Sequence, residues 1–409
     1  MLQHLKHLEI NGCIGLRMLK GGPTTLDLGI LRQAWPDSLA NLKRLSTLRM
    51  ENVEFLELPN SIGEIAGLQE LSLGDSSVNI IPESIGKLKS LVKLKLSGTD
   101  IIELPNSIGE LKSLKVLLMD RCKLKKLPKA IGMLEKLEYL GATLCESLEG
   151  EVPMEIGALS SLKSLWLGGT RISVVPPSIS SLSLLEDLII SSSRLQQIPD
   201  LSNLTNLERL VLCDHERPKY VKMPHAPYLP WIGRLTKLTW LNLDLSDMTV
   251  LPAEFSALVD LQCLQLRGST FQSLEHFPPN IWRVTFFDLR STDGWSCLRT
   301  FKYLSRVHVS RSGLTEIPLD ALGQLQNLCE LIVSECQALE KLYHVTCLRK
   351  LSYLAVRDCP RLVEIQGIER LESLENLIII CCPLLKELPD LQDLTKLRIS
   401  NCHSDETLV

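Results

Sequence analysis

The chain repeats itself along its length. The phrase LxxLxL begins at Leu45, Leu68, Leu91, Leu114 and Leu137, four consecutive steps of 23 residues. It returns at Leu162, Leu185, Leu207, Leu238, Leu261, Ile281, Leu304, Leu328, Leu351, Leu374 and Leu394, and an earlier copy stands at Leu5, giving seventeen units in 409 residues. A short fixed period constrains the fold severely, because each period must hold one supersecondary unit that touches only its neighbours. In the unit at Leu91, Leu94 and Leu96 alternate with Lys93 and Lys95, the pattern of a short strand with one buried and one open face. Further on comes Leu104-Pro105-Asn106-Ser107-Ile108-Gly109-Glu110-Leu111. Pro105 ends the extended stretch, Ser107 is placed to cap a short helical turn, and Ile108 and Leu111 share one side of that turn.

These spacings predict an α/β repeat, a leucine-rich-repeat solenoid (horseshoe). A parallel β-sheet is expected on its concave face and short helical or irregular turns on its convex face, with residues 1–409 forming a single domain. Composition agrees: 45% of residues are hydrophobic but only 5% aromatic, as aliphatic ladders require. Two steps are long. Residues 21–44, within the 40-residue step from Leu5 to Leu45, are a degenerate unit or an insertion. Residues 215–230 (HERPKYVKMPHAPYLP) extend the step from Leu207 to Leu238 to 31 and read as an inserted loop, either a binding loop or a tolerated surface excursion. At Ile281 aromatics replace leucines. In fourteen of the seventeen units the eighth residue after the first leucine is small and polar or a thiol: Cys13, Ser76, Thr99, Cys122, Cys145, Thr170, Ser193, Ser246, Ser269, Ser312, Cys336, Cys359, Cys382 and Cys402. Seven of thirteen cysteines thus belong to the repeat and read as structural.

Little in the chain points to chemistry. GxxxxGK[ST], GxSxG and HExxH are all absent. His4 and His7 flank a leucine within a strand motif, and Cys213, His215 and His225 lack a second close pair of ligands. No catalytic residue, cofactor or metal is expected. A formal charge of −4 gives no bias toward nucleic acid or anionic membrane. The start, MLQHLKHLEING, has no basic and apolar leader, and no stretch approaches eighteen apolar residues. The expectation is a reduced cytoplasmic or nucleo-cytoplasmic protein. Neither end shows a capping unit, which suggests a portion of a larger protein or a truncated product.

Counting from each first leucine as n, positions n+2, n+4, n+6 and n+7 are expected on the concave face. Most are polar, so the exceptions are informative. Tyr139, Trp166, Trp240, Phe287 and Tyr353 fall there, Trp166 beside Gly168 and Gly169. Arg267, Arg283, Arg306, His308 and Arg311 read as a basic patch that Asp288 interrupts. Any one of these is unremarkable on a solvated face, but a long open surface bearing aromatics and arginines is suited to a protein partner.

The wording of the unit carries a resemblance. Leu58-Pro59-Asn60-Ser61-Ile62-Gly63-Glu64, Ile81-Pro82-Glu83-Ser84-Ile85-Gly86-Lys87-Leu88 and the phrase at Leu104 are LPxSIGxL variants, and Cys122-Lys123-Leu124-Lys125-Lys126-Leu127-Pro128 reads CxxLxxLP. Together they resemble the repeat region of plant intracellular disease-resistance receptors, closest to the nucleotide-binding class with a Toll/interleukin-receptor domain. The resemblance implies ligand or effector recognition in plant defense, and restraint of a nucleotide-binding signalling domain whose phosphate loop this sequence does not contain. The partner is then a pathogen effector or that signalling domain. An alternative is a cytosolic scaffold similar to the repeat proteins of small-GTPase signalling, which share the LPxxIGxLxxL wording. An extracellular ectodomain fits less well, since LxGxIP wording occurs only at Leu148-Glu149-Gly150-Glu151-Val152-Pro153 and the sequon Asn203-Leu204-Thr205 stands alone.

Overall fold

A computed structural model describes residues 6–9, 44–53, 56–192, 194–195, 198–212, 229–244, 250–267, 276–292, 295, 298, 301–317, 319–323, 325–385 and 396–400. Nearly all of the 21–44 and 215–230 segments lies outside these residues, as do His4, Leu5, Cys13, Ser193, Cys213, His215, His225, Ser246, Ser269, Leu394 and Cys402. The chain folds as a leucine-rich-repeat solenoid, in two compact units that meet in sequence between Leu207 and Glu208.

In the first unit, short parallel strands follow one another rung by rung: His7–Glu9, Thr47–Arg49, Glu70–Ser72, Lys93–Lys95, Val116–Leu118, Tyr139–Gly141, Ser164–Trp166 and Asp187–Ile189. Register is exact at position n+3, where Leu48, Leu71, Leu94, Leu117, Leu140, Leu165 and Leu188 face one another in succession. All seven are fully buried, as are the first leucines of their units. His7–Glu9 pairs directly with Thr47–Arg49, so the long step from Leu5 to Leu45 separates two adjacent rungs.

The second unit continues the pattern with Arg209–Val211, Trp240–Asp244, Cys263–Arg267, Arg283–Phe287, Arg306–Ser310, Glu330–Ser334, Tyr353–Arg357, Asn376–Ile380 and Lys396–Ser400, each pairing parallel with the next. The unit at Ile281 is a full rung despite its weak sequence. Val284 and Phe286 are buried, and Phe286 packs against Trp295 with ring centroids 5.6 Å apart.

The return face of the first unit is a stack of 3₁₀ turns, among them Glu83–Lys87, Asn106–Glu110 and Lys129–Met133. Proline stands immediately before each of them in extended conformation, for example Pro105 at φ −67° and ψ 154°. Ser107 does not cap its turn, contrary to the expectation above. Pro105 occupies the cap position, and the Ser107 backbone N–H donates to Glu83 of the preceding unit at 2.9 Å. The glycine of each SIG phrase has a packing reason. A Cβ on Gly109 would lie 2.7 Å from the Ala130 carbonyl oxygen of the next turn, so only glycine lets the turns stack this closely.

Between strand and return face the chain turns inward through a left-handed residue at n+7. Asn52, Asp75, Gly98, Arg121, Leu144, Gly169, Asp288, Arg311, Glu335, Asp358 and Cys381 all have φ between 52° and 74°. The residue after it, n+8, then points into the core. The Thr99 and Thr170 hydroxyls donate to the carbonyls of Leu96 and Leu167 at 2.7 and 3.0 Å, while the Cys122 and Cys145 thiols reach the Leu96 and Met119 carbonyls at 3.0 Å. Cys122, Cys145, Cys336, Cys359 and Cys382 are all free and buried, as the repeat requires. Cys145 is held well above the usual thiol range, first by its hydrogen bond with Cys122 and then by burial. Cys359 is pushed up to about 12, first by its hydrogen bond with Cys336.

Two outcomes follow. Leu94→Asp places a carboxylate in the shared core at a cost of roughly 4 kcal/mol or more. It should open several neighbouring rungs, seen as lost circular dichroism and new proteolytic cuts; an unchanged pattern would refute the register. In native protein treated with iodoacetamide, mass spectrometry should find the exposed Cys347 alkylated and the five buried ladder thiols intact.

Candidate binding surface on the open strand faces

In the rungs from Leu45 to Leu374 the side chains at n+2 and n+4 point away from the leucine core, because alternate residues of a strand leave on opposite faces. All ten residues singled out from the sequence are described, and each unit presents its own cluster.

In the first unit Tyr139 and Trp166 come from adjacent strands and meet edge to face, ring centroids 5.0 Å apart at 65°. Gly141, directly opposite Trp166 in register, makes room for this. A Cβ there would come within 3.1 Å of the Tyr139 ring and 3.3 Å of both Asp120 Oδ1 and Leu118 Cδ2. Trp166 is half-buried, and its Nε1 is shielded from solvent without a hydrogen-bond acceptor. It is therefore better covered than its flanking Gly168 and Gly169 imply, because the cover comes from the neighbouring rung. Asp120 accepts from the Thr143 N–H at 2.7 Å and the Ser97 hydroxyl at 3.4 Å, and Asp187 accepts from the Ser164 hydroxyl at 3.1 Å. Burial first, then Asp120 and Asp187, hold the Tyr139 phenol well above its ordinary range.

In the second unit Trp240 lies between two arginines, Arg209 at 5.5 Å and Arg283 at 6.0 Å from the ring centroid. Arg306 stacks on Trp282 at 5.1 Å. The expected basic patch is largely a set of ion pairs between rungs. Arg267 meets Asp288 at 2.7 Å, Arg306 meets Glu330 at 3.0 Å and Arg311 meets Glu335 at 2.8 Å. Asp288, which in sequence interrupts the patch, is thus a partner within it. Arg311 stands at the left-handed n+7 turn. Phe287 packs edge-on against His308 at 6.1 Å, and His308 Nε2 lies 2.8 Å from the Ser334 hydroxyl. Tyr353 accepts from Arg357 at 3.4 Å. Sequence reasoning missed Asp120, Arg209, Glu330, Glu335 and Arg357. The signal that finds Asp120, Glu330 and Glu335 is pairing across one 23–24-residue step between rungs, whereas Arg209 lies across the long step of 31 from Trp240 and Arg357 within the same strand as Tyr353.

Among the described residues no group of three His, Cys, Asp or Glu side chains is arranged to hold a metal ion, and no helix is long and apolar enough to cross a membrane.

Residues 292–409 match the family described as plant disease resistance protein RPS2-like, leucine-rich repeats. A putative disease resistance protein of Arabidopsis thaliana is 28% identical over 162 residues, 38% of this chain and 13% of that protein's length. Among solved structures, a leucine-rich-repeat protein of Leptospira interrogans is 28% identical with a TM-score of 0.59, covering 84% of this chain and 81% of its own. The ectodomain of the Arabidopsis receptor kinase HAESA, solved with a peptide hormone ligand, shares the fold at 22% identity and a TM-score of 0.58, covering 91% of this chain and 68% of its own. The chain is similar to plant disease-resistance repeats at this level.

His308 is pushed down to about 4, first by burial and then by the charges of Arg283 and Arg357, with Glu335 acting in the opposite sense. The folded protein therefore keeps a neutral ring where the unfolded chain takes up a proton near pH 6.5. Stability should be full above that pH and decline as pH falls toward 4, by an amount on the order of 1–3 kcal/mol. Urea midpoints across this range should drop less steeply in His308→Gln; equal slopes would show that the ring is not held neutral.

Proposed function

We propose that this chain is the recognition region of a plant intracellular immune receptor of the nucleotide-binding, Toll/interleukin-receptor class, acting in the cytoplasm without catalysis. Its open strand faces bind a pathogen effector, or the nucleotide-binding domain that the repeats restrain. One observation carries the reading: the stretch matching RPS2-like repeats, 292–409, also bears His308, Arg311 and Tyr353 on its strand-and-turn surface. The shared fold with an ectodomain solved in complex with a peptide hormone ligand supports the coarser part, that a repeat array of this kind takes a peptide or protein ligand. The second reading is a cytosolic scaffold for small-GTPase signalling, favoured by the regular LPxSIGxL turns of the first unit.

The test is proximity labelling in plant leaf cells, with the chain and a variant carrying Trp240→Ala, Arg283→Ala, His308→Ala and Tyr353→Ala. Nucleotide-binding proteins or a co-expressed effector should be labelled by the parent and lost in the variant. Identical labelling by both would remove the open face from the account, and enrichment of small GTPases would favour the scaffold.

A further inference from the structure

The second unit shows how this chain treats half-buried tryptophans: arginines of its own cover them, two on Trp240 and one on Trp282. The first unit offers the same aromatic surface without that cover. Among the described residues no cation stacks on Tyr139 or Trp166, although both rings are held edge to face on the open side of the ladder. Beside them, drawn over Gly141 by the absent side chain, lies Asp120 Oδ1. Asp120 has neutral hydrogen-bond donors, Ser97 and Thr143, and no ion-pair partner among the described residues. An aromatic face beside an uncompensated carboxylate is complementary to a peptide segment carrying a guanidinium.

We infer that the platform of Tyr139, Trp166 and Asp120 receives an arginine side chain from the protein segment docking on the first unit. The guanidinium stacks on the Trp166 face and donates to Asp120. The inference rests on the reading of the open faces as protein-binding, and it names the chemistry recognised at one place on them. Arginine fits better than lysine because a planar guanidinium stacks and hydrogen-bonds at once.

The test needs no native partner. The full chain, labelled with ¹⁵N, is titrated with N-acetyl-arginine amide and separately with N-acetyl-citrulline amide, its uncharged counterpart. The Trp166 indole signal, assigned through Trp166→Phe, should shift with the arginine probe at a dissociation constant on the order of 1–10 mM. The citrulline probe should bind at least about tenfold more weakly. Asp120→Asn keeps an oxygen for the Thr143 N–H, so it should fold normally while losing about fivefold or more in arginine affinity and nothing for citrulline. Equal binding of the two probes, an undiminished arginine response in Asp120→Asn, or no shift of the Trp166 signal would each overturn the inference. These failures are distinct from failure of the immune-receptor reading: probe binding with no partner captured in leaf cells would sink that reading and leave the arginine site standing, and the reverse pattern would do the opposite.

Discussion

The contact between the middle leucine of one strand and its counterpart in the next carries everything else in this protein. Leu71, Leu94, Leu117 and Leu140 lie in exact register and are wholly buried, yet no single unit encloses any of them. A 23-residue piece has too little apolar surface to bury against itself, so each rung gains its core only by being sandwiched. The aliphatic bias of the composition follows, since identical layers need identical side chains of similar volume and leave no irregular gaps for large rings. At the Ile281 rung rings do enter the core, where Phe286 pairs with Trp295.

Stacking at this spacing imposes a second demand, that the backbone leave the strand at the same point in each rung. The left-handed residue at n+7 meets it. Asparagine, aspartate and glycine occupy six of the eleven described cases, the residue types that accept this conformation most readily. The turn aims n+8 into the core, where its backbone surroundings hold unmatched carbonyls. A serine, threonine or cysteine supplies the missing donor within a volume the layer can hold. Buried thiols in a row are thus answers to a hydrogen-bonding requirement, and the hydrogen bond between successive thiols, ahead of burial, is what raises Cys145 and Cys359.

The open face obeys different rules. Neighbouring strands bring the same position of successive rungs side by side, so charges are sorted by what stands one rung away. In the second unit this sorting has matched Arg267, Arg306 and Arg311 with carboxylates, and such half-exposed pairs are worth little in stability while removing net charge from the surface. The Tyr139–Trp166 pair beside Asp120 carries no such ion pair among the described residues.

Most of the fold is legible in the amino-acid order because its determinants are local and periodic. Leucine spacing marks the strands, proline marks their ends, and a small polar residue at n+8 marks the inward turn, each acting within about twenty residues. The weak unit at Ile281 could be placed by spacing alone, and it forms a full rung. The same order names the residues of the open face but not their state. Whether an arginine is free or paired depends on the residue opposite it one rung away, which is why the basic patch of the sequence became a row of ion pairs and Asp288 changed from an interruption into a partner. Whether Trp166 is bare or half-covered depends on Gly141 of the preceding unit, whose missing side chain lets Tyr139 and Asp120 close in. Periodicity fixes position, and contact between rungs decides charge and cover, because those properties belong to pairs of residues that the chain separates by a whole repeat.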